Sequence, residues 1–409
     1  MTARTSGKHA LTFIALTMAI DMAGVGIIIP VMPDLIQSLS GGSVGEAARV
    51  GGWLVFAYAA MQFFCAPIAG NLSDRFGRRP VLLIALLGLA IDYLVMALAS
   101  TLWVLFVGRV LAGVAGATWS VANAYVADVS DPENRAKNFG IVSAASAAGL
   151  ILGPAIGGLL GDIDTRAPFY AAAALTAMNM IYGWIVLPET LSQENRRLFS
   201  WKRANPFGGI NHVRKYPIVL GILCALLLMQ LATQSLVYIW AYFNKELFGW
   251  TAFQIGLSIT FYGITLALVQ GGLTGPVVKK LGEKTTALVG LGAGLVAYAI
   301  FSFASAGWMM YIGIVIGCIG GFTTPSMQSL MTKAVPANEQ GELQGAITSS
   351  LAITVVLGPI IMTQLFAHFT RPDHFYFPGA PFFVSAFLII ASAILFKAVT
   401  SNLKSDPAS

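Results

Sequence analysis

Gly70-Asn71-Leu72-Ser73-Asp74-Arg75-Phe76-Gly77-Arg78-Arg79-Pro80 is a charged turn set between two apolar runs, residues 50–71 and 80–100. Each run is long enough to cross a bilayer, for which about 20 apolar residues suffice. Ten further runs of this kind lie outward from it, at 10–32, 102–125, 138–161, 167–187, 217–243, 252–277, 285–305, 307–331, 343–367 and 376–396. Apolar residues make up 56% of the 409 and charged residues only 10%, with a mean hydropathy of +0.75. Such a chain has too little polar surface for water, so its solvent is lipid. The expected fold class is an all-α membrane protein of twelve transmembrane helices. Too little chain remains between the runs for a soluble catalytic or output domain, which argues against an enzyme or a sensor. The first run lacks a small-residue cleavage site and reads as a span.

Basic residues near span ends stay in the cytoplasm. With both termini placed inside, nineteen of the 24 Lys and Arg fall on the cytoplasmic side, among them Arg75, Arg78, Arg79, Arg135, Lys202, Arg203, Arg214 and Lys404. Arg49, Arg166, Lys245 and Arg371 fall outside, and Arg109 lies within span 4. The net charge of +6 is thus a topology signal; it is spread over many short loops and makes no nucleic-acid face. Cys65, Cys224 and Cys318 sit within spans as small apolar side chains, and His9, His212, His368 and His374 lack metal-ligand spacing. No metal and no cofactor are expected.

Shifting the chain by 205 residues superposes Gly70 on Gly275, Gly77 on Gly282, Gly140 on Gly345 and Gly153-Pro154 on Gly358-Pro359. Seven of the 21 glycines before residue 205 land on another glycine, where composition alone gives about two. The two halves therefore repeat, which predicts two pseudo-symmetric six-helix bundles, residues 1–187 and 217–409. Residues 188–216, with six bases and the breakers Pro188, Pro206, Gly208 and Gly209, form the expected cytoplasmic linker.

An ionisable side chain near the bilayer centre costs about 3 kcal/mol or more. Asp21, Asp92 and Arg109 are so placed. Spans 3 and 4 meet at Ser100-Thr101, so Asp92 and Arg109 lie at the same depth in the hairpin, roughly 12 Å in, and are expected to pair. That pair either holds the bundle together or sets when the carboxylate takes a proton. Asp21 lies about 16 Å into span 1 with no base along its own helix. Burial without a counter-charge favours a neutral carboxyl in general. Arg109, Gly113, Gly116, Ser120 and Asn123 make one small, polar stripe on span 4, a face expected on a cavity. Gln62 joins that candidate cavity from the first half. The second half has no deep charge, and contributes Gln230, Gln234, Tyr238 and Gln328 as candidates, with helix packing equally open for the glutamines.

In span 5, Gly140 is followed by Gly149, Gly153-Pro154 and Gly157-Gly158. Gly149, Gly153 and Gly157 share one face that admits a close helix, and Pro154 withholds a backbone donor.

The charged turn resembles the signature between helices 2 and 3 of the major facilitator superfamily, and the span 5 pattern resembles its antiporter motif. Ile20-Asp21-Met22-Ala23-Gly24-Val25-Gly26, Ala90-Ile91-Asp92-Tyr93, Gly108-Arg109, Gly116-Ala117-Thr118, Phe248-Gly249-Trp250 and Gly282-Glu283-Lys284-Thr285 look like the twelve-helix tetracycline/proton antiporters of that superfamily. The resemblance implies proton-coupled efflux of a small amphipathic, tetracycline-like drug by a monomer in a bacterial inner membrane. Its partners would be substrate, protons and lipid. Gly70, Asp74, Arg75, Gly77, Arg78 and Arg79 would form the gating turn, with Asp128 and Arg135 as charge partners, and Asp21, Asp92 and Arg109 would couple and bind. One departure is chemical. Those pumps carry a His in span 8 and an Asp in span 9, and this chain has neither, with Gly294 at the Asp position. A proton-coupled nutrient importer and an exporter of another metabolite are the alternative readings.

Overall fold

The computed structural model describes residues 2–116, 118–131, 133–201 and 215–401, with side chains from residue 11 onward. Arg4, Lys8 and His9 as side chains, and Ala117, Lys202, Arg203, Pro206, Gly208, Gly209, His212, Arg214 and Lys404, lie outside what is described.

The first six crossings begin with helix α1 (Thr2–Ile28), a short α2 (Met32–Ser40), α3 (Val44–Phe76) and α4 (Arg78–Leu98). They continue with α5 (Leu102–Ala115), α6 (Thr118–Val129), α7 (Arg135–Ile163) and α8 (Ala167–Val186). After the linker come α9 (Pro217–Phe248), α10 (Ala252–Leu268), α11 (Thr274–Ser302), α12 (Gly307–Ile319), α13 (Thr323–Lys333), α14 (Gln340–Phe369) and α15 (Ala380–Val399). Eleven described helices are long and apolar enough to span, counting Ala252–Ser302 as one piece of 51 residues. That piece is broken at Gly282, whose φ of +75° no helix accommodates, so it supplies two crossings and the total is twelve. Side chains such as Ile84, Trp103 and Ile185 are 67%, 70% and 74% exposed, which is the surface a chain solvated by lipid presents.

Three features differ from the hydropathy runs. The first run, 10–32, ends as a helix at Ile28 and turns into α2, where Pro33 sits in the first turn, a position that needs no N–H. The fourth, 102–125, is two helices parted at Gly116. The eighth, 252–277, passes through a wider π-turn at Val269–Leu273.

The chain divides into two compact units, Met1–Gly42 with Leu54–Pro206 and Thr251–Thr260, and Ser43–Trp53 with Phe207–Trp250 and Phe261–Ser409. In the first unit α1 lies along α7. A Cβ built on Gly149 or Gly157 would overlap the carbonyls of Ala19 and Ile27, and one on Gly153 would sit 2.6 Å from the carbonyl of Ala23. The glycine face of span 5 therefore seats the backbone of span 1. Phe13, Ile14 and Met18 of α1 close a core with Leu82, Leu86, Val121 and Tyr125. Arg166 caps α4, donating to the carbonyls of Ala97 at 2.9 Å and Ala99 at 2.8 Å, groups a helix end leaves without partners.

In the second unit Ser385 and Ser392 of α15 donate to the carbonyls of Ala232 and Ala225 on α9, at 3.0 and 2.7 Å. The rings of Phe243, Phe301 and Phe382 meet at 5.0 and 5.5 Å. The internal repeat is visible in the backbone. Gly77 and its counterpart Gly282 both take positive φ, +106° and +75°. Span 4 breaks at Gly116, and its counterpart passes through a 3-10 turn at Gly320–Phe322.

The glycines of α7 predict opposite outcomes. Gly153→Ala forces a methyl onto the α1 backbone and should destabilise the protein by about 1–3 kcal/mol. Gly140 has nothing within 4 Å of its Cβ position, so Gly140→Ala should be neutral or stabilise by up to about 1 kcal/mol. Thermal unfolding of the two variants in detergent checks the contrast.

Candidate functional site

Two constellations in the first unit gather most of the residues singled out from the sequence. The first is the turn between α3 and α4. Gly77 leaves the helix with positive φ, and α4 restarts at Arg78. Arg78 is buried; its Nη1 donates to Asp74 Oδ1 and Ser73 Oγ, each at 2.6 Å, and its Nε to Asp128 Oδ2 at 3.0 Å. One guanidinium thus gathers the end of α3 and the end of α6. Arg75 lies over the ring of Phe76 at 5.1 Å, Arg79 donates to the carbonyl of Trp184, and Arg135 reaches the carbonyl of Ala127 at 3.4 Å. Gly70 packs near Ser120, 3.4 Å from its Cβ position.

The residue the sequence reading missed is Glu189, just after α8. Its carboxylate accepts the backbone N–H of Arg78 at 2.9 Å and Arg79 at 3.2 Å, and those of Thr190 and Leu191 at 3.0 Å each. A negative group on the first N–H groups of a helix satisfies orphan donors and complements the helix dipole. A side chain at Gly77 would overlap this carboxylate. The segment after α8 is also tied down by Asn71, which donates to the Ser200 carbonyl at 3.0 Å, and by the Arg197 N–H on the Asp74 carbonyl at 3.0 Å. Glu189 lies 111 residues from Arg78, and no local pattern announces the contact.

The second constellation is inside the membrane. Arg109 of α5 forms an ion pair with Asp92 of α4, as their equal depth requires. The side chains are 13% and 1% exposed, so water does not screen the pair. Gly108 allows the approach: a Cβ there would meet Asp92 Oδ1 at 3.2 Å and Val95 at 3.1 Å. The Arg109 guanidinium also lies 5.4 Å from the centre of the Tyr58 ring on α3, a cation–π contact. Gly113 brings α5 against α3, its Cβ position 2.5 Å from the Tyr58 carbonyl. Where span 4 breaks, Gln62 Nε2 donates to the Gly116 carbonyl at 2.7 Å and to the Tyr58 hydroxyl at 3.2 Å. A backbone interrupted at membrane depth needs such a partner. Tyr58 and Gln62, at i and i+4, carried the available signal for this face of span 2.

Asp21 is buried and makes no ion pair among the described residues. One turn before it, Thr17 donates to Asn179 of α8 at 3.3 Å. One turn after it, Gly24 leaves room for Tyr93, whose hydroxyl lies 2.6 Å from the Cβ position. Tyr93 follows Asp92 in sequence, so α4 carries both the acid of the ion pair and the side chain that packs on the helix bearing Asp21. Asn123 is half-buried on α6.

In the second unit, Gln234 is buried against α14, with Gly358 leaving room for its stem and Thr354 Oγ1 at 3.5 Å from Nε2. These contacts set it where α9 meets α14. Gln230, Tyr238 and Gln328 are half-buried, and the Gln328 carbonyl accepts from Thr332 at 2.9 Å. Among the described residues no group of His, Cys, Asp and Glu is arranged to hold a metal.

The profile of the Major Facilitator Superfamily matches residues 14–359 and, again, 237–408. The chain belongs to the major facilitator superfamily. It is 40% identical over 360 residues to the tetracycline resistance protein, class C, of Escherichia coli, across 88% of this chain and 90% of that protein. It is 36% identical to the class G protein of Vibrio anguillarum, across 86% and 89%. Among solved structures, nucleoside transporter NupG matches with a TM-score of 0.71 at 15% identity, across 99% of this chain and all of that one. The human organic anion transporter MFSD10 matches at 0.66 and 22%, across 95% and 99%. These structural likenesses show the superfamily fold: a multi-pass helical membrane protein.

Removing one member of a buried ion pair strands the other, at about 3–5 kcal/mol. Asp92→Asn and Arg109→Gln should each lower thermal stability by that order, and the double variant should be less destabilised than the sum of the two. A double-mutant cycle in detergent measures the coupling.

Proposed function

We propose that this protein is a proton-coupled exporter of a small amphipathic drug, tetracycline-like or related, in the inner membrane of a bacterium. Both termini face the cytoplasm in this reading. Residues 1–187 and 217–409 act as the two bundles of an alternating-access carrier, joined by the linker 188–216. The observation that carries it is likeness over nearly the whole chain to six tetracycline resistance proteins at 33–40% identity, in a chain with acids buried in its first unit. The protein works as a monomer, exchanging cytoplasmic drug for external protons without a covalent step.

Coupling is by competition. A proton arriving from outside on Asp21 or Asp92 weakens cargo binding, and its loss toward the cytoplasm restores it. Arg109 sets the state of Asp92 through their contact, and Tyr93 passes changes there to α1. Neutralising a buried charge also lowers the cost of moving its helix through lipid. The gating turn, with Arg78 held by Asp74 and Asp128, closes the cytoplasmic side, and Glu189 positions the start of α4. The spans that carry His and Asp in the pumps of the resemblance have neither here, so cargo recognition falls on Gln62, Asn123, Gln230, Gln234, Tyr238 and Gln328 and on apolar wall. Metal coordination by spans 8 and 9 has no part in it.

Asp21→Asn should abolish pH-driven uptake of drug into everted vesicles while leaving the thermal unfolding profile intact. Undiminished uptake removes Asp21 from the scheme. Transport in the opposite direction in the same vesicles marks an importer.

A further inference from the structure

A cavity of about 400 Å³ opens in the second unit where α14 ends and α3 begins, lined by Arg49, Ile361, Gln364, Leu365, His368 and Arg371. A smaller cavity of about 240 Å³ adjoins it, sharing Arg49 and Arg371 and adding the polar side chains of Ser43, Glu46 and Thr370. Neither guanidinium has an ion pair or a hydrogen bond among the described residues; only the Arg49 carbonyl is engaged, by Gln364 Nε2 at 3.4 Å. Glu46 is committed to the start of α3, where it accepts the Ser43 N–H at 3.1 Å and its own N–H donates to Ser43 Oγ at 3.2 Å. That reciprocal capping box leaves the carboxylate beside the helix end. The other acid nearby, Asp373, is 75% exposed, lies 3.8 Å from His374 and lines neither cavity. The His374 ring in turn lies 4.4 Å from that of His368, tilted by 32°.

The apolar side of the larger cavity runs down α14. Ile361, 41% exposed, precedes Arg371 by ten residues, roughly 15 Å along the helix. The site therefore has a hydrocarbon wall at membrane depth, two unpaired guanidiniums at its edge and a hydroxyl-lined chamber beyond them. Two free guanidiniums against one committed carboxylate leave an excess of one positive charge.

We infer that these two cavities bind an anionic phospholipid. Its phosphate monoanion would lie between Arg49 and Arg371, an acyl chain along Ile361 and Leu365, and its headgroup hydroxyls against Ser43, Glu46 and Thr370. Guanidinium matches phosphate with paired, charge-assisted N–H donors. The requirement for apolar wall and cationic edge together separates a lipid from a free anion. The requirement for net negative charge separates an anionic lipid from a zwitterionic one.

The test is titration of the purified full chain in neutral detergent with phosphatidylglycerol, phosphatidylethanolamine or inorganic phosphate, following the thermal midpoint and the lipids retained in native mass spectrometry. Phosphatidylglycerol should raise the midpoint saturably and stay bound. R49Q and R371Q should each weaken its apparent Kd about tenfold, the loss of one charge-assisted contact. The R49K/R371K pair should keep most of the effect. The lipid-free midpoint of every variant reports whether it folds, and the lysine pair keeps the comparison decisive if a glutamine variant does not. Equal protection by phosphatidylethanolamine overturns the charge requirement, and equal protection by inorganic phosphate shows a free-anion site. An unchanged Kd in both glutamine variants places the lipid elsewhere.

Discussion

A charge inside a bilayer has no water to turn to, and the first unit is built around satisfying Arg109. Its guanidinium takes Asp92 on the neighbouring helix and the face of Tyr58 on another. Gly108 and Gly113 are the consequences, since each removes a side chain that would keep α5 from α4 or from α3. The break in span 4 follows the same rule. Interrupting a helix at Gly116 frees a carbonyl in a medium that offers it nothing, and Gln62 supplies the missing donor. Leaving a polar group without such a partner at this depth costs several kcal/mol.

Asp21 is held differently. It has no counter-charge, and its position is set by backbone contact, with the ladder Gly149, Gly153 and Gly157 pressing α7 onto Ala19, Ala23 and Ile27 on the same helix. In lipid, helices gain little from hydrophobic burial against each other, so close backbone packing over small residues is what holds them together. The glycine face of span 5 thus fixes the helix that bears the isolated acid. Tyr93, next to Asp92 in sequence, touches that helix one turn further on.

At the loop end, Arg78 and Glu189 do complementary work. Arg78 collects two carboxylates from two helices, while Glu189 collects four N–H groups from a helix start and its own turn. Both depend on Gly77, whose positive φ turns the chain and whose missing side chain makes room for the Glu189 carboxylate. The corresponding Gly282 turn in the second half has its own acid, Glu283, bound by Ser329 and by Lys333 at 2.9 Å. The repeat preserves the turn and exchanges the partners.

Much of this was legible in one dimension. Spans are legible because lipid demands unbroken apolar length, which is a local property, and the repeat because glycines at fixed offsets leave a count. The pairing of Asp92 with Arg109 was also legible, since a tight turn at Ser100-Thr101 makes depth a matter of counting residues from it. The contacts of Glu189 with Arg78, of Gln62 with the Gly116 carbonyl and of the span 5 glycines with α1 were not. Each joins positions 54 to more than 100 residues apart whose meeting depends on how whole helices pack. Hydropathy records which residues leave water, and only the packed bundle decides which of them meet.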